Sequence, residues 1–433
     1  MKSKPKAWVM SADMGYGHQR AAYPLKDIAT ERIINSNSDK IVSKEDKKTW
    51  IKARAFYEWI SRMNEIPVLG RFLFWLFNRL QEIKPYYPFR DASTPNSSVK
   101  FLHRKIAKGF GKSLLAYVSK ERAPIVSTFY IPALVADYHH LPAVYCVICD
   151  SDINRIWVAK DPKKSKINYF VPCIHAYNRL LSYGVAEKQL FLTGFPLPKE
   201  NIGGESSPIT KKVLARRLVN LDPQKKFLSS HKSSIKQGLG KYFIFGAKPK
   251  PITLMFVVGG AGAQSDIGFE LLKSLKHKLL DNKISICIVV GTHIGLKDQF
   301  SVFIDEIGLK SRLDKNLTIL AELTKKDYFA KFNEQLNKTD ILWTKPSELS
   351  FYSGLGVPII MAPPLGAQEY WNRKWLFEIG AGSDQEAPEY VSEWLFEKLN
   401  DGRLARKAWN GFLNAPRLGT YNIEKILKNH GKE

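Results

Sequence analysis

The sequence contains few cysteines and no long apolar run. Four cysteines occur among 433 residues, which predicts a reducing compartment rather than a disulfide framework. No segment reaches the roughly 18 consecutive apolar residues that a membrane-spanning helix needs. The N-terminal lysines lead at once into a strand-like run, so no signal peptide is predicted. We therefore expect a cytoplasmic protein.

Recognised metal and nucleic-acid signatures are also missing. Cys146 and Cys149 form a Cys-x-x-Cys pair, but they lie in the apolar run 143–149 and no helix begins after Cys146. We interpret the pair as part of a buried strand. The pair Asp150 and Asp152 offers too few ligands for a metal site, and none is predicted. Zinc-finger spacing and aromatic RNA-binding motifs are absent, so no nucleic-acid partner is expected.

Acidic residues are scarce relative to basic ones. The chain has 66 Lys and Arg against 41 Asp and Glu, a formal net charge of +25. Such an excess is typical of proteins that bind nucleic acid, an anionic membrane surface or a phosphorylated substrate. With nucleic acid disfavoured, the membrane surface and the phosphorylated substrate are the predicted partners.

Residues 49–90 favour the membrane. Aromatic side chains such as Trp59, Phe72 and Trp75 are interspersed with Arg and Lys. Rings at the headgroup level and cations against anionic lipid are typical of an in-plane membrane contact. The alternative is a helix pair that completes a domain core. We predict a peripheral protein on the cytoplasmic face of the cell membrane.

Strand-like segments alternate with helical patterns in two parts of the chain, which predicts parallel sheets. Residues 1–202 are predicted to form a first Rossmann-like domain that carries the 49–90 insert. Residues 203–250, rich in glycine and lysine, are predicted to be a partly ordered connection, and 251–400 a second domain. Residues 401–433 are predicted to be helices that pack back on the first domain. The remaining expectations are one amphipathic helix over 98–120 and strands near 7–11, 124–129, 143–149, 169–172, 189–196, 252–258, 285–290, 317–320, 340–344 and 359–362.

The first predicted strand leads into a turn with Gly15 and Gly17, and a helix begins at His18. Glycines at this point let the backbone approach a ligand closely. His18 is the candidate general base because it lies near the ends of the strands; a structural histidine is the alternative. Asp150, at the end of another strand, is the competing candidate.

The second half contains two polar loops within the strand–loop–helix repeat of residues 343–382. Lys345, Ser347 and Glu348 lie on the first loop. Gln368, Glu369 and Asn372 lie on the second. Ser347 is predicted to cap its helix, whose free backbone N–H groups would then attract a phosphate.

Several motifs, taken in order, resemble GT-B glycosyltransferases. The branch is the one that holds monogalactosyldiacylglycerol synthase, the bacterial diacylglycerol glucosyltransferases and the peptidoglycan N-acetylglucosaminyltransferase (glycosyltransferase family 28-like). The matching motifs are Gly15-Tyr16-Gly17-His18, Thr128-Phe129, Asp150 through Trp157, Thr193-Gly194-Phe195-Pro196, Gly259–Gln264, Thr344-Lys345-Pro346, Gly356-Val357-Pro358 and Gln368-Glu369-Tyr370-Trp371-Asn372.

Three positions depart from that pattern. Ser347-Glu348 replaces a pair of glycines, and Asn154 stands where the branch has a histidine. Phe351 occupies the position of the glutamate that binds the nucleotide ribose in the branch. Glu348, one helical turn earlier, is our hypothesis for its replacement.

The resemblance implies an α/β fold of two Rossmann-like domains facing across a cleft. It implies an inverting transfer of a sugar from a UDP-sugar to an acceptor hydroxyl, here that of a membrane lipid. Departure of a nucleoside diphosphate builds up negative charge, which backbone amides and helix N-termini can stabilise without a metal or another cofactor. The alternatives are a UDP-sugar 2-epimerase and a non-catalytic protein that binds nucleotide sugar or anionic lipid.

Site residues follow from the chemistry of a UDP-sugar together with this resemblance. The diphosphate is assigned to Gly259, Gly260, Gly262 and the amides after Ser347, supplemented by Lys345. Glu348 is assigned to the ribose, the backbone at Leu323 to the base, and Gln368 and Glu369, with Asn372 beside them, to the sugar. Gly15 and Gly17 complete the set on the first domain.

Overall fold

The computed structural model describes residues 5–63, 83 and 85–430. The chain divides into two compact units. Unit 1 comprises the chain up to Pro196, residues Leu365–Trp371 and the chain from Leu418 onward. Unit 2 comprises Leu197–Pro364 and Asn372–Arg417.

Unit 1 is built on a six-stranded parallel sheet. Its strands are β1 (Trp8–Ser11), β2 (Ile34–Asn35), β3 (Ile125–Ser127), β4 (Val144–Val147), β5 (Asn168–Val171) and β6 (Leu190–Leu192), in the order β2-β1-β3-β4-β5-β6. Strands β1, β3 and β4 are buried along their whole length, as expected for a parallel sheet covered on both faces. Of the strands of unit 1, β2 was not predicted, because its two residues are too few to show a period.

The helices of unit 1 follow the strands. They are α1 (Gly17–Ala22), α2 (Lys44–Met63), α3 (Ser97–Ala107), α4 (Lys112–Val118), α5 (Tyr130–Tyr138) and α6 (Ile174–Ser182), with 3-10 helices at Tyr23–Ile28, Arg155–Trp157 and Glu187–Gln189. The prediction of one helix over 98–120 is wrong. Gly109 and Gly111 both have positive φ, at 98° and 85°, and this left-handed backbone ends the first helix before the second begins.

Unit 2 holds a second six-stranded parallel sheet. Its strands are β7 (Ile252–Val257), β8 (Ile284–Gly291), β9 (Leu317–Ala321), β10 (Ile341–Thr344), β11 (Ile359–Met361) and β12 (Gly382–Asp384), in the order β12-β11-β10-β7-β8-β9. The predicted fold class, α/β with two Rossmann-like units, is confirmed. Strand β12 was not predicted, because Gly382-Ser383-Asp384 carries no apolar signal.

The remaining helices are α7 (Lys199–Ile202), α8 (Pro208–Asn220), α9 (Lys226–Ser230), α10 (Lys232–Leu239), α11 (Ser265–Ser274), α12 (Lys276–Leu280), α13 (Ile294–Glu306), α14 (Lys325–Lys338), α15 (Ala367–Glu378), α16 (Val391–Asn400), α17 (Arg403–Asn414) and α18 (Gly419–His430). Short 3-10 helices lie at Gly240–Tyr242, Gly260–Gly262, Lys310–Arg312, Glu348–Leu355 and Pro388–Tyr390. Helix α18 contributes Ile423 and Leu427 to the core of unit 1.

Residues 203–250 differ from the partly ordered connection that was expected. They form helices α8, α9 and α10, and they contribute Leu214, Leu218 and Ile235 to the core of unit 2. The spacing of Leu214 and Leu218 places both on one helical face, and burying that face ties the segment to unit 2.

The predicted membrane segment 49–90 lies partly outside the described residues. The part outside comprises residues 64–82 and 84 and includes Phe72, Phe74, Trp75 and Phe77. Among the residues that are described, no helix has the length and apolar character to cross a membrane.

Candidate functional site

The chain order reverses once in each sheet, between two neighbouring parallel strands. In unit 1 the reversal falls between β1 and β3, and in unit 2 between β7 and β10. The loops leaving the carboxyl ends of such a pair diverge to opposite faces, and the crevice between them is where ligands of open α/β sheets bind. Most of the predicted site residues lie on the loops at these two crevices.

In unit 1 the crevice is centred on His18. The hydroxyl of Thr128, just after β3, donates a hydrogen bond to the backbone oxygen of His18 at 2.7 Å. The half-buried imidazole packs edge to face on Phe129, with ring centroids 4.7 Å apart. The ring centroids of His18 and Trp157 are 5.9 Å apart. Three motifs far apart in sequence therefore meet around one imidazole.

The two glycines before His18 have different roles. Gly15 has φ of +95° and is exposed, with no atom within 4 Å of the position of a Cβ. The backbone conformation, rather than space, therefore requires glycine there. Gly17 is the first residue of helix α1.

Asp150 and Asp152 have separate environments after β4. Asp150 is half-buried in the loop. Asp152 is fully buried, and the guanidinium of Arg179 donates to both its oxygens at 2.7 Å. The Nε2 atom of His175 also lies 2.7 Å from Asp152. Because Asp152 is taken up by this ion pair, it is not available to hold a metal with Asp150. The described part of the chain has no cluster of three or more metal-ligating side chains.

Asp152, His175 and Arg179 form a group that the sequence did not predict; we call it the Asp152 cluster. The indole of Trp371 stacks on the imidazole of His175, with centroids 4.9 Å apart and planes at 30°. Arg179 lies 5.9 Å from the same indole. The Asp152 cluster therefore holds Trp371, a member of the Gln368–Asn372 motif. In the sequence, the only indication of the Asp152 cluster is that Asp152 and His175 each follow a predicted strand.

The cysteine pair has the structural role that was expected. Both Cys146 and Cys149 are buried, and burial raises the pKa of the Cys146 thiol well above its ordinary value. A thiol held neutral in this way is neither a nucleophile nor a metal ligand.

In unit 2 the glycine loop leaves β7 and is closed by its own hydrogen bonds. The Gly259 N–H donates to the Ala263 carbonyl at 3.0 Å, and the Gly262 N–H to the Gly259 carbonyl at 3.1 Å. Two of the amides that were predicted to face a diphosphate are therefore used within the loop. Gly260, at its exposed tip, is the remaining glycine of the predicted set.

Lys345 lies directly against this loop. A Cβ added at Gly259 would be 3.2 Å from the Ala263 Cβ and 3.5 Å from Cδ of Lys345. The Gln264 amide donates to the Pro363 carbonyl at 2.8 Å. The loops after β7, β10 and β11 thus meet at one edge of the sheet, as their neighbouring positions in the strand order require.

The predicted capping by Ser347 is confirmed. Its hydroxyl accepts from the Leu349 N–H at 3.5 Å, although the helix that it caps, Glu348–Leu355, is a 3-10 helix. Glu348 is 9% exposed at the start of this helix. Phe351 is buried and packs on Trp375, with centroids 4.9 Å apart. The position where the related branch carries its ribose-binding glutamate is therefore a core position here.

The remaining predicted residues, which are Leu323, Gln368, Glu369 and Asn372, differ in their exposure and contacts. Glu369 accepts a hydrogen bond from the Leu365 N–H at 2.8 Å and so ties the first turn of α15 to the preceding loop. Gln368 is half-buried and Asn372 fully buried. Leu323 is 85% exposed after β9, and β8 separates that strand from β7.

Arg217 is a further residue that the sequence did not predict. Its buried guanidinium donates to the carbonyls of Leu355 and Gly356 at 2.9 and 2.8 Å. It also donates to the Thr339 carbonyl at 3.0 and 2.8 Å, just beyond α14. A cation at the carboxyl ends of two helices satisfies carbonyls that have no partner within the helix. Arg217 therefore fixes the far end of the Ser347-capped 3-10 helix.

Two curated relatives match the chain. A processive diacylglycerol beta-glucosyltransferase from Bacillus subtilis (strain 168) is 24% identical over 300 residues, which cover 67% of this chain and 65% of the relative. The chain thus spans less than two thirds of that relative. The enzyme of the same description from Bacillus pumilus (strain SAFR-032) is 22% identical over 416 residues, covering 93% of this chain and 88% of the relative. These matches confirm the resemblance to the diacylglycerol glucosyltransferase branch.

One solved structure supports the fold. Acinetobacter baumannii MurG superposes with a TM-score of 0.50 at 13% identity, covering 98% of this chain and 100% of its own. A UDP-GlcNAc 2-epimerase from Neisseria meningitidis bound to UDP-GlcNAc has a TM-score of 0.45 at 14% identity, over 78% and 83% of the two chains. A family model described as a domain of unknown function (DUF6938) matches residues 246–335, the first part of the unit 2 sheet.

Proposed function

We propose that this protein is a glycosyltransferase that moves a sugar from a UDP-sugar to a hydroxyl of a membrane lipid. The observation that supports this most directly is the crevice between β7 and β10. There a lysine lies against a glycine loop, beside the start of a serine-capped helix. A nucleoside diphosphate is the ligand whose chemistry fits a cation and an exposed glycine amide at the carboxyl edge of a parallel sheet.

Donor binding follows from this crevice. Lys345 is assigned to the diphosphate, together with the exposed Gly260 amide. The predicted amides after Ser347 are left out of this assignment, because the Leu349 and Ser350 N–H groups already donate to Ser347 at 3.5 and 2.9 Å. Gly259 and Gly262 shape the loop rather than donate from it. Glu348 is assigned to the ribose hydroxyls. Because the donors are fixed before the reaction, they stabilise the charge that develops on the departing diphosphate.

The chemical step is an inverting displacement. The acceptor oxygen bonds to the anomeric carbon while the bond from that carbon to the diphosphate oxygen breaks, and its electron pair leaves with UDP. The proton of the acceptor hydroxyl passes to the imidazole of His18. His18 is assigned this role because three loops of unit 1 position its ring at the β1/β3 crevice.

A lipid acceptor at the cytoplasmic face of the membrane is supported by two independent facts. Both curated relatives are named for transfer to diacylglycerol. The net charge of +25 favours an anionic surface.

Thermal shift with nucleotides tests the donor site. With UDP or the correct UDP-sugar at about 100 times its Kd, the Tm of the parent should rise by roughly 5 °C. Lys345→Ala should lose most of this rise, because it removes the cation beside the glycine loop. Lys283→Ala, at an exposed lysine of the same unit, is the matched control and should keep it.

Two results would contradict the proposal. If no nucleotide or nucleotide sugar raises the Tm, the crevice does not bind the proposed donor. That result would favour a non-catalytic protein. Interconversion of free UDP-sugar epimers in the absence of an acceptor would favour the 2-epimerase alternative.

A further inference from the structure

Unit 2 carries a basic and apolar surface that is separate from the predicted 49–90 membrane segment. Residues 223–250 contain seven lysines and no aspartate or glutamate. All seven lysines are exposed. The nearest carboxylate before them, Asp222, is buried and accepts hydrogen bonds from the N–H groups of Lys226 and Leu228 at 3.0 and 2.7 Å. The exposed face of this segment therefore carries lysine charges and no carboxylate of its own.

Apolar side chains project from the same segment. Ile244 is 72% exposed and Phe245 is 39% exposed. The residue before them, Phe243, is only 8% exposed. Phe243 belongs to the core of unit 2 and packs edge to face on Phe245, with centroids 4.8 Å apart. One buried ring thus anchors a loop whose next two side chains face solvent.

The lysines and the apolar loop form one surface. Lys225 and Lys232 line the same open groove as Phe243, Ile244 and Phe245. The ammonium of Lys232 lies 4.9 Å from the centre of the Phe245 ring. We call this set the lysine–Ile244 surface.

We propose that the lysine–Ile244 surface docks unit 2 on an anionic lipid bilayer. Cations near a bilayer are attracted by its negative surface potential, while an apolar tip gains free energy by entering the interfacial region. Lysine stems can bury their methylenes and keep their ammonium groups at the headgroups. A loop with an aliphatic side chain at its tip and lysines around it meets both requirements.

Single-stranded nucleic acid is the competing ligand for a basic and aromatic surface. Binding of that kind relies on open aromatic faces on which bases stack. Here the most exposed apolar side chain is the aliphatic Ile244, and the ammonium of Lys232 lies over the Phe245 ring. The surface therefore fits lipid better than bases.

A fluorophore at the loop tip tests the docking without reference to sugar transfer. The four native cysteines are all buried, so Ile244→Cys can be labelled selectively with an environment-sensitive dye in the full-length protein. Vesicles of phosphatidylcholine with about 30% phosphatidylglycerol should shift its emission to the blue, and phosphatidylcholine alone should not. Val302→Cys, at a similarly exposed apolar position of unit 2, is the matched control and should show no shift.

Charge-removing variants test the lysines in the labelled Ile244→Cys background. Lys225→Gln, Lys232→Gln and Lys241→Gln together should weaken vesicle partitioning about tenfold or more. The control triple Lys283→Gln, Lys310→Gln and Lys338→Gln removes the same charge from lysines that pair with carboxylates. It should change partitioning by no more than about twofold, because each of those charges is already balanced locally.

Three outcomes would overturn the inference. The first is no emission shift at position 244 with anionic vesicles. The second is an equal loss of partitioning in the two lysine triples. The third is a shift produced by a single-stranded oligonucleotide but not by vesicles, which would assign the surface to nucleic acid. Membrane binding through residues 49–90 cannot produce the expected result, because the dye reports only its own surroundings.

Discussion

At the scale of single residues, the assignment of the general base rests on His18 and Asp150. His18→Ala should lower the transfer rate by about 100-fold to 10,000-fold, because water must then accept the proton of the acceptor hydroxyl. Asp150→Asn should have a smaller effect if Asp150 only shapes the loop. The measurement is kcat with a UDP-sugar and a lipid acceptor, together with circular dichroism to establish folding. A His18 variant that turns over like the parent, with Asp150→Asn inactive, would reverse the two roles.

The half-buried imidazole of His103 makes stability depend on pH. His103 Nε2 accepts a hydrogen bond from the Lys160 N–H at 2.9 Å, which only the neutral ring can do. Burial lowers the pKa of His103, and the nearby positive charge of Lys160 lowers it further. The unfolded chain therefore takes up a proton at a higher pH than the folded protein does. The contribution of His103 to the free energy of unfolding is present above its ordinary pKa of 6.5 and is lost as the pH falls through its lower folded value.

This dependence can be measured by urea unfolding. Between about pH 7 and pH 5 the parent should lose stability. His103→Gln keeps an acceptor that does not titrate in this range, so its midpoint should fall less over the same interval. If the unfolding midpoints of the two proteins fall equally over this pH interval, His103 is not responsible.

At the scale of elements, the 3-10 helix Glu348–Leu355 is the part of unit 2 whose position the proposed donor site depends on most. Ser347 caps its start and Arg217 binds carbonyls at its end. Helix α17 approaches it so closely that a Cβ added at Gly411 would lie 2.5 Å from the Ser353 carbonyl oxygen. The helix is therefore held at both ends and along one side.

Gly411→Ala should consequently destabilise the protein by about 1–3 kcal/mol, because a methyl group cannot fit against a backbone carbonyl without moving one of the two helices. Gly295→Ala is the matched control. It also lies in a helix, α13, but nothing is within 4 Å of its added Cβ. It should be neutral or stabilise by up to about 1 kcal/mol. Urea unfolding of both variants provides the comparison, and equal effects would mean that the close contact carries no strain.

At the scale of the whole molecule, the charge of +25 should govern association with membranes. In a flotation assay with the full-length protein, the bound fraction should rise with the content of anionic lipid. It should fall steeply as sodium chloride is raised from about 0.05 M to 0.5 M, because the Debye length shrinks over that range. Binding that is indifferent to both lipid charge and salt would remove electrostatics as the cause.

Much of the architecture was predictable because it depends on local patterns. Continuous apolar runs such as Ile252–Val257 and Ile284–Gly291 identify buried parallel strands by themselves. The resemblance of the ordered motifs to a glycosyltransferase branch was also present in the sequence, and the curated relatives confirm it. The capping role of Ser347 required only the rule that short polar side chains accept from the second or third N–H of a helix.

Other features were decided by tertiary structure, because they depend on which distant segments become neighbours. No local pattern pairs Asp152 with Arg179, or brings Trp371 onto His175. Likewise, Arg217 shows in sequence as one more cation of a basic segment, and only the fold places carbonyls from two helix ends around it. Sequence periodicity determines which face of an element is buried. The order of strands in the sheet determines which residues meet at its edge, and that order is set by packing between segments far apart in the chain.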